Sequence, residues 1–181
     1  LGLPIVKSLV DIMGGTISVQ SELGKGTEFI VELYVPVAEA ETENPVSEIA
    51  MENLKDAGIL LVEDNNINIY VAQLILEKAG CLVEIAKDGK EAVEHFKESG
   101  INYYHAILMD VRMPSMNGID ATKAIRALNR EDAATIPIIA MTADAFDEER
   151  KKTLEAGMNY HLSKPINPRL LYKILSEFLE K

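Results

Sequence analysis

Ile59-Leu60-Leu61-Val62-Glu63-Asp64-Asn65-Asn66 is the stretch on which the fold turns. Four apolar residues in a row, two of them β-branched, suit a short strand buried on both faces. The apolar run ends abruptly in two acids and two asparagines. A helical pattern follows from about Asn66 to Ala79 and is stopped by Gly80. Strand, polar turn and helix therefore form one unit.

The same unit recurs to the end of the chain. Leu82–Ala86 is a second strand, and Asp88-Gly89-Lys90-Glu91 resembles a capping box that opens a helix running to about Ser99. Ala106–Met109 is a third apolar run. Asn117 and Asp120 frame the start of a helix expected to reach about Asn129. Ile138–Met141, after Pro137, is a fourth strand, followed by a helix over Asp147–Ala156 that ends at Gly157. Tyr160–Leu162 is a short fifth strand, and Leu170–Leu179 the last helix, with Pro168 in its first turn. Five strands alternating with five helices imply a parallel sheet covered on both faces. The expected fold is α/β and flavodoxin-like, a five-stranded parallel sheet in the order 2-1-3-4-5 with helices on both faces, over residues 57–181. In such sheets ligands meet the carboxyl ends of the strands.

Five chemically loaded side chains fall at those ends. Glu63 and Asp64 close strand 1, Asp110 strand 3 and Thr142 strand 4, and Lys164 follows strand 5. Three carboxylates at one edge repel one another unless a cation joins them. Hard oxygen donors with open positions suit Mg²⁺, which keeps several waters and favours a phosphate partner. A hydroxyl and an ammonium beside them suit phosphoryl oxygens. The constellation is that of a metal-assisted phosphoryl acceptor with a carboxylate nucleophile.

At these residues the sequence resembles the response-regulator receiver domain family. The resemblance is carried by Val62-Glu63-Asp64-Asn65, Met109-Asp110-Val111-Arg112-Met113-Pro114, Gly118, Met141-Thr142-Ala143, Gly157-Met158-Asn159 and Lys164-Pro165. It implies that Asp110 is the phosphoacceptor and that Glu63, Asp64, Asp110 and the carbonyl of Arg112 hold Mg²⁺. It also implies that Thr142 turns toward the phosphoryl group, that Lys164 clamps it, and that Pro165 follows a cis peptide. The position three residues before Lys164 is often Tyr or Phe in the family and is His161 here. Two positions flanking the pocket, Arg112 and Asp144, are expected to pair across it and to slow the attack of water on the phosphoaspartate.

Residues 1–36 read differently. Ile5, Val6, Leu9, Val10 and Met13 form a helical stripe over Pro4–Met13. Thr16–Ser21 and Phe29–Val35 alternate as strands around a turn at Leu23–Gly26. A helix and a hairpin offer too little core to fold alone. Leu1-Gly2-Leu3, Ile5-Val6-Lys7, Met13-Gly14-Gly15 and Gly24-Lys25-Gly26-Thr27-Glu28-Phe29 resemble the tail of a histidine-kinase ATPase domain. By that resemblance Gly2 would lie near ATP phosphates and Thr27 near the adenine. The upstream boxes are absent, so ATP is expected only in an intact parent kinase. His95, His105 and His161 all lie in the receiver part, and none stands in the context of a phosphodonor histidine.

Residues 37–56 carry six acids against one lysine and read as an acidic linker, with a short helix from Val46 to Leu54. The net charge of −11 argues against nucleic acid and anionic lipid as partners. No apolar run approaches a membrane span, so a soluble, cytoplasmic segment is expected. A single cysteine, Cys81, excludes an internal disulfide and a Cys-built metal site; a buried, inert thiol is expected. Leu1 in place of Met suggests a piece of a longer chain.

Kinase tail, linker and receiver together resemble the C-terminal part of a hybrid sensor histidine kinase, with no DNA-binding domain expected after the last helix. Its role would be a phosphorelay: a kinase phosphohistidine donates to Asp110, and a histidine-phosphotransfer protein takes the group on. Partner contacts would include the Asn66–Ala79 helix. The alternative is a docking module independent of phosphorylation. A haloacid-dehalogenase-like phosphatase would need an acid two residues after its nucleophile, where Arg112 stands. A flavodoxin-like flavin binder would need a hydroxyl-rich loop where Glu63-Asp64 would repel phosphate.

Overall fold

A computed structural model describes residues 2–34, 52–143 and 147–179, with the side chains of 147 and 148 outside the description. The chain divides into two units, residues 1–43 and 44–181. In the first, helix α1 (Gly2–Ile12) precedes an antiparallel hairpin of β1 (Thr16–Glu22) and β2 (Gly26–Glu32). The second strand starts and ends three residues earlier than the alternation suggested, because pairing with β1 runs to the turn and brings Gly26 opposite Glu22. Val10 is the buried apolar residue of this unit among the described residues.

The second unit holds strands β3 (Gly58–Val62), β4 (Leu82–Ala86), β5 (Ala106–Asp110), β6 (Ile138–Thr142) and β7 (Tyr160–Ser163). They form one parallel sheet in the order β4-β3-β5-β6-β7, the expected 2-1-3-4-5. Between and after them run α2 (Asn66–Lys78), α3 (Gly89–Glu98), α4 (Gly118–Arg126), α5 (Asp147–Glu155) and α6 (Pro168–Leu179). All residues of β3, β5 and β6 are buried. Alternation along the strands feeds two cores. Ile59, Leu61 and Leu108 pack with Ile69, Leu76, Leu171 and Leu175 on one face. Leu60, Val62 and Met109 pack with Ala92, Phe96, Ala121 and Ile125 on the other.

Side-chain caps set the helix starts. Asn65 Oδ1 accepts from the amides of Ile67 (2.9 Å) and Asn68 (3.2 Å), and Asp88 Oδ1 from those of Lys90 (2.8 Å) and Glu91 (2.9 Å). Glu91 returns the bond to the amide of Lys87 at 2.8 Å, closing the expected box one residue further out. Helix α4 stops at Arg126 rather than near Asn129. The chain turns there because Arg126 and Arg130 are recruited to other loops. Arg126 donates to the carbonyls of Gly157 (2.9 Å) and Ala133 (2.7 Å) and to Asn159 Oδ1 (2.9 Å), and the same Asn159 oxygen accepts from the Ile138 amide at 2.8 Å.

Leu54, assigned to the linker, is fully buried in the first core, and the Asp56 amide donates to Gly80 O at 2.9 Å. The packed unit therefore begins before residue 57. The short helix expected from Val46 lies, but for residues 52–54, outside the described residues. Cys81 is buried; its thiol donates to Leu54 O at 3.5 Å, and burial pushes its pKa up to about 11.

Candidate functional site

The strand register brings the carboxyl ends of β3, β5, β6 and β7 level. The Val111 amide donates to Met141 O and the Lys164 amide to Thr142 O, at 3.2 and 2.8 Å. Glu63, Asp64 and Asp110 each offer a carboxylate oxygen, and those oxygens lie within 4.8 Å of one another. Glu63 and Asp110 are buried, and Asp64 faces outward. Lys164, carried past β7 to the cis Lys164–Pro165 peptide, places Nζ 2.6 Å from Glu63 Oε2 and 2.9 Å from Asp110 Oδ2. Asn68, one turn into α2, donates to Glu63 Oε1 at 2.9 Å.

One ammonium thus faces two buried acids, with a third at the rim. Burial is the main influence raising the Asp110 carboxyl above its ordinary value; the Lys164 hydrogen bond opposes it and the charge of Glu63 adds to it. Burial alone would lower the Lys164 ammonium, but its bonds to Asp110 and Glu63 outweigh burial and raise it. The donor set is hard oxygen with a surplus of negative charge, which fits a small divalent cation.

The remaining expected residues divide. Thr142 is buried at the end of β6, and its hydroxyl donates to Glu149 Oε2 at 2.9 Å. The Arg112 amide donates to Asp110 Oδ1 at 3.2 Å, which pins the loop after β5 against the carboxylate. The Arg112 guanidinium reaches Glu149, with Nε 3.2 Å from Oε1. The pairing expected between Arg112 and Asp144 falls on a residue outside the described ones. Gly118 allows α4 to begin against β5: a Cβ there would stand 2.2 Å from Asp110 O. His161 lies against the buried Thr153 hydroxyl, and its imidazole pKa is lowered by burial and then by Arg150. His105 accepts from the Gly58 amide at 2.9 Å, a structural use, and His95 Nδ1 stands 3.3 Å from Glu84. Gly2, first residue of α1, and Thr27, whose hydroxyl is 2.9 Å from that of Ser21, belong to the first unit.

A model of the response regulator receiver domain matches residues 59–176. The chain belongs to that family. This receiver is similar, over its whole length with the leading unit included, to the autoinducer 2 sensor kinase/phosphatase LuxQ of Vibrio parahaemolyticus, at 38% identity and covering 21% of that protein. The chain spans about a fifth of the length of the curated relatives it matches. The receiver domain of the sensor histidine kinase PA1611 of Pseudomonas aeruginosa, solved with a magnesium ion coordinated in its active site cleft, is 40% identical, with a TM-score of 0.63 over 70% of this chain and 99% of that one. The receiver domain of the Saccharomyces cerevisiae response regulator Ssk1, crystallised with the histidine phosphotransfer protein Ypd1, is 35% identical, with a TM-score of 0.62 over 68% of this chain and 89% of that one.

Sequence reasoning missed Asn68 and Glu149. Asn68 carried a weak signal, as the fourth polar side chain within one turn of Glu63. Glu149 carried none, lying inside the charged run Asp147-Glu148-Glu149-Arg150-Lys151-Lys152.

Beside this site, α2 presents Ile67, Tyr70, Val71 and Leu74 to solvent at helical spacing, opposite the buried Ile69, Ala72 and Leu76. No helix among the described residues is long and apolar enough to cross a membrane.

Proposed function

We propose that this chain is the phosphoryl-accepting station of a two-component phosphorelay. The observation that carries the reading is the convergence of Glu63, Asp64 and Asp110 on one point, with Lys164 bonded to two of them. The Asp110 carboxylate attacks the phosphorus of a kinase phosphohistidine. A new O–P bond forms, the N–P bond breaks, and the electron pair leaves with the imidazole, which takes up a proton. Glu63, Asp64, Asp110 and the Arg112 carbonyl are the groups that would hold Mg²⁺. When bound, the ion supplies charge neutralisation for the phosphoryl oxygens. Lys164 gives a second cation at the same oxygens, and Thr142 a hydroxyl donor. Burial of Asp110 keeps bulk water from the carboxylate.

The acquired group then passes to the histidine of a phosphotransfer protein. The exposed apolar stripe of α2 borders the site and suits a helical partner that must bring an imidazole to Asp110. The family likeness to a receiver crystallised with such a protein supports this choice. The leading helix and hairpin are read as the end of a kinase ATPase domain, with ATP chemistry in the intact parent and this segment acting in the cytoplasm.

The test is labelling by a small phosphodonor such as phosphoramidate, with and without Mg²⁺. Wild-type protein should gain an acid-stable, base-labile phosphoryl group only with the ion, and Asp110→Asn none. Equal labelling of Asp110→Asn, or none of wild type, would refute the assignment and favour a docking module independent of phosphorylation.

A further inference from the structure

Glu149 is an acid at a place where the phosphoryl chemistry asks for none. Its side chain is 19% exposed and lies in the first turn of α5. Oε2 accepts the Thr142 hydroxyl at 2.9 Å and the terminal Arg112 nitrogen at 3.5 Å, and Oε1 accepts Arg112 Nε at 3.2 Å. Both donors belong to the segments that flank Asp110. Arg112 is two residues beyond it and holds its Oδ1 through the amide; Thr142 ends the neighbouring strand.

A carboxylate and a phosphoryl group offer such donors the same thing, anionic oxygens in a fork. A single hydroxyl proton cannot serve both. We propose that Glu149 is a built-in competitor for the phosphoryl group, a latch that holds Thr142 and the Arg112 side chain on α5 until Asp110 is phosphorylated. The inference rests on Asp110 being the phosphoacceptor. Phosphorylation then has to take the Thr142 hydroxyl from Glu149, and doing so frees the first turn of α5. The second turn stays tied through Thr153, whose hydroxyl meets His161 of β7. The helix therefore pivots at its start rather than leaving the sheet. Coupling of this kind is reciprocal. A partner that draws Glu149 away favours phosphorylation, and phosphorylation favours that partner.

The experiment measures binding of beryllofluoride with Mg²⁺, a phosphoryl stand-in, to the full chain by calorimetry. Glu149→Ala should bind roughly fivefold to tenfold tighter than wild type. Loss of a nearby negative charge alone would also tighten binding, so the same change is made in a Thr142→Val background. There the gain should shrink below about twofold, because the contested hydroxyl is gone. Glu149→Gln, which keeps size and one acceptor, should fall between wild type and Glu149→Ala, and it carries the test if the alanine variant folds poorly. Binding no tighter in either variant, or an undiminished gain in the Thr142→Val background, overturns the latch alone. A wild type that neither labels at Asp110 nor binds beryllofluoride overturns the acceptor reading and the latch with it.

Discussion

Two buried ion pairs in the receiver solve the same electrostatic problem in opposite ways. At the carboxyl ends of the strands, Lys164 faces both Glu63 and Asp110, with Asp64 beside them. Among the loops that feed β5 and β6, Arg130 faces one acid, Asp132, with contacts of 2.6 and 2.8 Å, and Asp132 also accepts the Asn102 amide at 2.8 Å. Arg130 also caps the end of α3: Nη1 donates to the carbonyls of Phe96 and Ser99 and Nη2 to that of Gly100, while Cζ lies 4.2 Å from the Phe96 ring centroid. The Arg130 hydrogen bond holds Asp132 below the usual carboxylate range, whereas burial lifts Asp110 above it. A buried pair is tolerated when every lone pair and proton is used. The Arg130 group meets that condition and works as a staple. The Lys164 group is short of positive charge, which leaves a demand that a divalent ion and an incoming phosphoryl group can meet.

The contrast can be broken by experiment, and the largest effect should come from the staple. Arg130→Ala should lose about 3 kcal/mol in urea unfolding, since it leaves the buried Asp132 carboxylate without its cation. Phosphoramidate labelling per folded molecule should stay at the wild-type rate. A matching fall in labelling would show that the two groups are not independent. Lys164→Met should lower the labelling rate about 100-fold in a protein that still folds, the cost of one cationic donor at the reacting oxygens. Stopped-flow or gel-based rates check it.

Asp110→Asn should behave in the reverse sense for stability. A carboxyl raised by folding contributes stability below the unfolded value near ~3.9 and loses it as pH climbs through the folded one. At neutral pH the ionised group is therefore a burden. In chelator-treated buffer the variant should be more stable than wild type by on the order of 1 kcal/mol, the difference closing below about pH 4. Thermal melts across pH decide this.

The smallest effect concerns His161. Burial, then Arg150, lowers its imidazole pKa against the pull of Glu149. A base lowered by folding contributes stability above its unfolded value near ~6.5 that fades as pH falls. His161→Phe should flatten the stability profile between about pH 7.5 and 5.5 by less than about 1 kcal/mol. An unchanged slope would mean that another group sets it.

These groups were unequally legible in the sequence. The five strand-end residues stood out because apolar runs stop at polar side chains, and a parallel sheet collects such stops along one edge. Arg130 and Asp132 did not, since Asn129-Arg130-Glu131-Asp132 has the composition of a solvated turn. Its burial depends on where α3 ends, a long-range fact. Leu54 was hidden among acids for the same reason. Glu149 depends on the angle at which α5 leaves β6, which no local period encodes.

Gly118 touches neither an ion nor a phosphoryl oxygen, yet the accuracy of the centre is borrowed from it. Its bare Cα lets a helix rest directly on the carbonyl of Asp110, and its amide closes the intervening loop onto Val111 O at 3.1 Å. A single added methyl would wedge that seam open and displace the Asp110 carboxylate while leaving every charged group of the cluster chemically intact. Lost signalling in this molecule can thus arise from a residue that a list of ligands would overlook.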